Sequence, residues 1–221
     1  MALALYSPEG LGAILVGSAL GATANWLAQW LPGRLGYVRP GRGSGHRRRW
    51  IGVWVASTVF AFLAWAGVGE GPGRFLGGRG LVLVYGMLLI AIAAIDSEYR
   101  RVPNKLLGVL ALLALAAAGL RGQYGATLVG GLVGWSLLYG ASRVRPGALG
   151  QGDVKLAGTL GLILGYPDVF RALSIGIIAG GVAALVLVMA RRATLKSTMA
   201  YAPYLVLGGL VVLLQQLEAL G

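Results

Sequence analysis

The chain has 221 residues, of which 57% are hydrophobic and only 12% charged, and its mean hydropathy is +0.76; soluble domains carry about a quarter charged residues, so a water-soluble fold is excluded. The formal net charge of +12 sits in short clusters between long apolar runs rather than over a solvated face, which argues against nucleic acid and for charge that orients a membrane protein. With no cysteine and a single histidine, His46, the chain has no disulfide, no cysteine nucleophile and no thiolate or histidine metal site, and the redox compartment stays open.

Apolar stretches of about 15 to 22 residues suit membrane-spanning helices. They occur in order near 10–31, 51–68, 80–95, 105–120, 124–141, 154–166, 171–190 and 200–219. Runs this long and rich in Leu and Ala satisfy their backbone polar groups as helices rather than as barrel strands. The expected fold is therefore all-α, a polytopic transmembrane bundle of about eight helices forming a single membrane domain over 1–221. The first run lacks the positive n-region of a secretory signal, its first basic residue being Arg34, and is too long for a simple h-region, so it is expected to stay as a helix. Residues 32–50 and 69–79, rich in Gly, Pro and Arg, read as loops. The sixth run is short. Gly17 with Gly21, Gly130 with Gly134 and Gly176 with Gly180 lie four apart, a spacing that lets helices approach closely, although among 38 glycines some pairs arise by chance.

An N-terminus outside puts the odd-numbered loops in the cytosol, with Arg34, Arg39, Arg42, Arg47, Arg48, Arg49, Arg100, Arg101, Lys105, Arg143, Arg145, Lys155, Arg191, Arg192 and Lys196. These are 15 of the 19 basic residues, and the positive-inside rule prefers this topology; Arg74, Arg79, Arg121 and Arg171 fall outside. Of the seven acids, Glu9, Glu70, Asp168 and Glu218 lie outside, leaving Asp96, Glu98 and Asp153 facing the cytosol. Asp96 follows the uncharged run LVLVYGMLLIAIAAI, and Asp153 lies in LGQGDVKLAG at the start of the sixth run. An acid near membrane depth is costly unless it is paired or faces water, which makes both functional candidates.

Two carboxylates can hydrolyse a peptide without metal, cysteine or serine triad: one acts as base on a water while the other donates a proton to the scissile carbonyl. Gly150 and Gly152 remove side chains beside Asp153 and allow positive φ, so that an extended substrate could approach the backbone. Other readings stay open at this level. Asp96 can be a helix-end acid screened by Arg100 and Arg101, and Asp153 an N-cap of the sixth helix. The two acids could also bind a coupling cation in a transporter or channel, or persist in an inactive scaffold.

The string AIDSEYRRVPNK, followed by GQGDVKLAG with its Asp 57 residues after the first, resembles the type IV prepilin peptidases, membrane aspartyl proteases of the GxGD class. GSALGATANWLAQWLPGR at 17–34 and YAPYLVLGG at 201–209 extend the resemblance over most of the chain. It implies that Asp96 and Asp153 are the catalytic carboxylates within a peptidase core spanning 80–221. The implied substrates are prepilins and pseudopilins of type IV pilus or type II secretion systems, cut at the cytosolic face of the bacterial inner membrane between a basic leader and a hydrophobic helix. Gly150, Gly152 and Lys155 are expected to shape the site beside Asp153, Val102, Pro103 and Asn104 the loop beside Asp96, and Glu98 to pair with the nearby arginines. Many members carry paired CxxC motifs that hold zinc in the first cytosolic loop and go with N-methylation of the new pilin N-terminus. Here 1–50 holds the N-terminal helix and a shortened loop, PGRLGYVRPGRGSGHRRRW, without cysteine. No metal or cofactor is expected, and methylation would have to proceed without zinc. The arginine cluster is expected to orient the chain and contact anionic lipid; membrane lipid is thus a partner and nucleic acid is not, while oligomeric state is not encoded legibly.

Overall fold

The computed structural model describes residues 8–37, 52–53, 55–61, 63, 80–144, 149–191 and 199–219. The arginine-rich part of the first loop (38–50), the linker 69–79 with Glu70, Arg74 and Arg79, and Arg145, Arg192 and Lys196 lie outside them, as do the side chains of Glu9 and Glu218. Every regular element among the described residues is an α-helix: α1 (Pro8–Arg34), α2 (described over 55–61), α3 (Gly80–Tyr99), α4 (Asn104–Arg121), α5 (Tyr124–Val144), α6 (Gln151–Leu164), α7 (Asp168–Met189) and α8 (Ala202–Ala219). This is the order of the expected spans, with two shifts that bear on the acids. The third helix continues past Asp96 to Tyr99, and the sixth begins at Gln151 rather than 154, so that both acids lie inside helices.

Among the described residues, α3, α4 and α7 are long and apolar enough to cross a membrane, with mean hydropathies of 2.1, 1.5 and 2.5. Helix α6 has 14 residues, about 21 Å at 1.5 Å per residue, and cannot cross a hydrocarbon layer of about 30 Å.

The helices sort into two compact units. One comprises the described parts of Met1–Tyr99 and Leu213–Gly221. Here α1 and α2 meet where Gly17 faces Thr58 and Ala61; a Cβ at Gly17 would come within 2.8 Å of the Ala61 Cβ. Gly86 of α3 takes the Phe60 ring of α2, and Thr23 of α1 donates to the Met87 sulfur of α3 at 3.1 Å.

The other unit is Arg100–Val212. Its central contact runs along α5 and α6. Gly130 of α5 lies against the Gly161 carbonyl of α6, Gly134 against the Ala157 carbonyl, and Gly131 against the Leu162 side chain. Lipid tails are as apolar as leucine, so helices in a membrane gain their association from close packing rather than from leaving solvent, and a Gly-lined face maximises it. Helix α6 is buried on nearly every side: Leu156, Ala157 and Leu160 are fully enclosed, and Gly209 of α8 meets Leu160. Its one buried hydroxyl, on Thr159, donates to the Lys155 carbonyl at 3.0 Å. Helices α7 and α8 cross where Gly176 faces the Tyr204 carbonyl and Leu205 Cα, while Gly208 faces the Ala172 carbonyl. All three glycine spacings in the sequence therefore include real contacts. Leu128 and Leu132 of α5 and Ile178, Val182 and Leu185 of α7 are exposed, as lipid-facing surfaces would be.

A Leu at Gly134 has no space against the α6 backbone and should cost about 1–3 kcal/mol, read as a lowered thermal midpoint in detergent. The same change at Gly140 of the same helix, where an added Cβ meets nothing within 4 Å, should stay within about 0.5 kcal/mol.

Candidate active site

Helix α6 starts with Gly150 as N-cap in an extended conformation, φ −73° and ψ 146°. The Asp153 and Val154 N–H groups donate to its carbonyl at 3.0 and 3.4 Å. Asp153 is thus the third residue of the helix rather than its N-cap, and its carboxylate turns back to accept the Gly150 N–H at 3.3 Å. This is the acidic half of a capping box, the other half being impossible because Gly150 has no side chain. The helix dipole directs partial positive charge toward the same carboxylate. Asp153 is nevertheless 8% exposed, a depth at which a carboxylate is kept only by specific surroundings.

Gly150 and Gly152 serve this geometry through the space they leave. The left-handed glycines among the described residues are Gly36, Gly122 and Gly165, so the expected positive φ at positions 150 and 152 is corrected: a helix start requires ordinary negative φ there. An added Cβ at Gly152 would lie 2.9 Å from the Val102 Cβ, and one at Gly150 would lie 3.2 Å from the Asp153 carboxylate. The first of these contacts docks the loop before α4 onto the start of α6. Pro103, fully buried, is the N-cap of α4, its carbonyl accepting from Leu106 and Leu107 at 3.1 and 3.3 Å. Asn104, the first residue of α4, accepts a hydrogen bond from the Lys155 ammonium at 3.2 Å. Two contacts, Val102 with Gly152 and Asn104 with Lys155, therefore fix the VPN segment beside the GQGD segment.

Asp96 belongs to the first unit. It lies in the last turn of α3, 5% exposed, on the face that carries the fully buried Ile92 and the buried Tyr99. The Tyr99 ring lies 6.2 Å from that of Tyr37, beyond the end of α1. Helix α3 stops at Arg100, which takes a left-handed conformation at φ 51°; that state is uncommon for a residue with a Cβ and turns the chain out of the helix. Of the residues singled out from sequence, the structure gathers Gly150, Gly152, Asp153, Lys155, Val102, Pro103 and Asn104 in one unit, and describes Asp96 in the other.

Tyr201, in the YAPY string, was not singled out from the sequence and lies near Asp153. Its ring rests on Gly180 of α7, where an added Cβ would lie 2.6 Å from the ring edge, and it is close enough to Asp153 to feel the carboxylate charge. Nothing in the sequence gives the pairing of residues 180 and 201 except the glycine itself. Among the described residues, no group of three His, Cys, Asp or Glu side chains is placed to hold a metal ion.

Residues 83–185 match the type IV leader peptidase family. Over 135 residues the chain is 27% identical to the prepilin leader peptidase/N-methyltransferase of Bacillus subtilis (strain 168), a match covering 60% of this chain and 54% of the relative. The chain thus matches about half the length of that curated relative. No solved structure matches. The matched residues, 83–185, bracket Asp96, the VPN loop and Asp153.

The docking of VPN on α6 has a thermodynamic signature. Gly152→Val should destabilise by about 1–3 kcal/mol through its clash with Val102. Adding Val102→Ala should recover part of the loss, giving a coupling of about 0.5–3 kcal/mol in a double-mutant cycle read by thermal unfolding.

Proposed function

We propose that this chain is a membrane aspartyl endopeptidase that removes the leader from type IV prepilins or pseudopilins, with Asp96 and Asp153 as its catalytic pair. The observation that carries the reading is that the leader-peptidase match encloses the two buried aspartates of the chain's described residues, each within one turn of a helix end. Nothing else in that segment supplies a nucleophile of the cysteine class, since the chain has no cysteine.

In this mechanism one carboxylate takes a proton from water, the resulting hydroxide equivalent attacks the scissile carbonyl carbon, and the other carboxyl delivers its proton to the carbonyl oxygen. As the tetrahedral diol collapses, the first carboxyl protonates the departing amine of the mature pilin while a diol hydroxyl returns its proton to the second carboxylate, so the C–N bond breaks, the leader leaves as a carboxylic acid and the pair again shares one proton. Two like charges a few ångströms apart cannot both stay ionised, so their titration belongs to the pair rather than to either residue.

The basic residues of the loops before α6, whose side does not depend on whether that short helix crosses, support a placement in the bacterial inner membrane with the site toward the cytosol, where the basic leader of a prepilin emerges. The VPN loop and Lys155 would hold the start of α6, and with it Asp153, in place while the substrate is cut. A second activity, N-methylation of the new N-terminus, is suggested by the B. subtilis relative, a prepilin leader peptidase/N-methyltransferase; with no cysteine for a thiolate zinc site, it would have to run without one. The match to a leader-peptidase family favours this reading over a cation-coupled transporter, and cleavage itself separates it from an inactive scaffold.

Co-expression with a prepilin and intact-mass analysis of that substrate test the proposal. Wild-type protein should remove the leader, whereas Asp96→Asn and Asp153→Asn should each lower cleavage by at least about a thousandfold while still inserting, a loss of about 4 kcal/mol in transition-state stabilisation. Normal processing by either variant would overturn the pair. A further methyl mass on the mature chain would reveal methyl transfer.

A further inference from the structure

Two helices end in the same three-step ladder. In α1, Trp26 and Trp30 stack with ring centroids 5.3 Å apart and planes 13° from parallel, and the Arg34 guanidinium lies over the Trp30 ring, 5.1 Å from its centre. In α5, Trp135 and Tyr139 stack at 4.6 Å and 12°, and the Arg143 guanidinium lies over Tyr139 at 5.0 Å. Residues four apart share a helix face, so each ladder runs along one face to the last turn.

The arginine is prepared in each case. Arg143 donates through Nε and a terminal nitrogen to the Tyr139 hydroxyl at 3.0 and 2.6 Å, which fixes the plane of the guanidinium and leaves three of its five N–H donors to a ligand. Arg34 is held by its contact with the ring. Among the described residues no carboxylate pairs with either arginine, whereas Arg171 is paired with Asp168. Below the ladders the same faces remain apolar and exposed, through Leu15 of α1 and through Leu128 and Leu132 of α5. A ligand that satisfies the whole face needs an anionic head able to take a planar fork and an apolar tail about as long as the stripe.

We propose that Arg34 and Arg143, each mounted on a stacked aromatic pair, are two binding sites for the phosphate of an acidic phospholipid whose acyl chains lie along the exposed stripe of α1 or α5. A guanidinium matches a phosphate bidentately, Trp and Tyr side chains favour membrane interfaces, and a cation near an anionic leaflet gains from its surface charge. Tail and head together distinguish this ligand from an acidic peptide, which would leave the stripe uncovered.

The test is lipid retention by the full-length protein. Reconstitution into discs of equal phosphatidylglycerol and phosphatidylcholine, followed by native mass spectrometry, should show two retained phosphatidylglycerols on the wild type. Arg34→Gln or Arg143→Gln should remove one each and the double variant both, with the preference falling about fivefold per arginine. Unchanged retention by the double variant, equal enrichment of phosphatidylcholine, or displacement of the lipid by oligoglutamate would overturn the proposal. Should a variant fail to insert, the wild type alone decides: phosphatidylglycerol with brominated chains should quench its tryptophan fluorescence more than brominated phosphatidylcholine, and equal quenching would refute the sites.

Discussion

The close approach of α5 and α6 through facing glycines is the contact on which the candidate site depends. Helix α6, with its 14 residues, is too short to cross a bilayer, so its ends have to be satisfied by protein. Gly130 and Gly134 on one side and Gly158 and Gly161 on the other bring the two backbones together, and α4, α7 and α8 complete the enclosure. A helix held this way presents its first turn at a fixed depth. Asp153 occupies that turn, buried, with the Gly150 N–H and the helix dipole directed at its carboxylate.

The same economy governs the segment that follows Asp96. Val102 packs where Gly152 has no side chain, and Asn104 receives the Lys155 ammonium. Both contacts join residues some fifty positions apart in sequence, and both flank Asp153. Their effect is to make the loop leaving α3 part of the support of α6, so that motifs separate along the chain become neighbours. Such a support holds the start of α6 in place through packing and one hydrogen bond, in a chain that has no cysteine for a disulfide.

Hydropathy was enough to order the helices, because an apolar run long enough to span lipid has few alternatives to a helix. It placed the ends less well. The start of α6 lies three residues upstream of the apolar run because Gln151, Gly152 and Asp153 form its first turn, where polar residues are favoured and hydropathy is blind. For the same reason Asp153 could be read as an N-cap, when the cap is Gly150. At positions 150 and 152 the missing side chains leave space for the Asp153 carboxylate and for Val102 rather than a positive φ, and that space depends at position 152 on a neighbour distant in sequence. The position of Tyr201 is not legible for a related reason, since its ring packs on Gly180 of another helix. The resemblance singles out Asp96 and Asp153, and the structure buries both side chains.

The central claim is that Asp96 and Asp153 act as one pair, and the absence of native cysteine makes it directly measurable. In membranes carrying the Asp96→Cys, Asp153→Cys double variant, oxidation or a short thiol-specific cross-linker should join the two positions, with a disulfide requiring Cα atoms within about 7 Å, and the yield should rise when prepilin is present. Single-cysteine variants should give no intramolecular product. Failure of the double variant to cross-link with every short reagent, with substrate bound and the protein inserted, would contradict a shared catalytic pair.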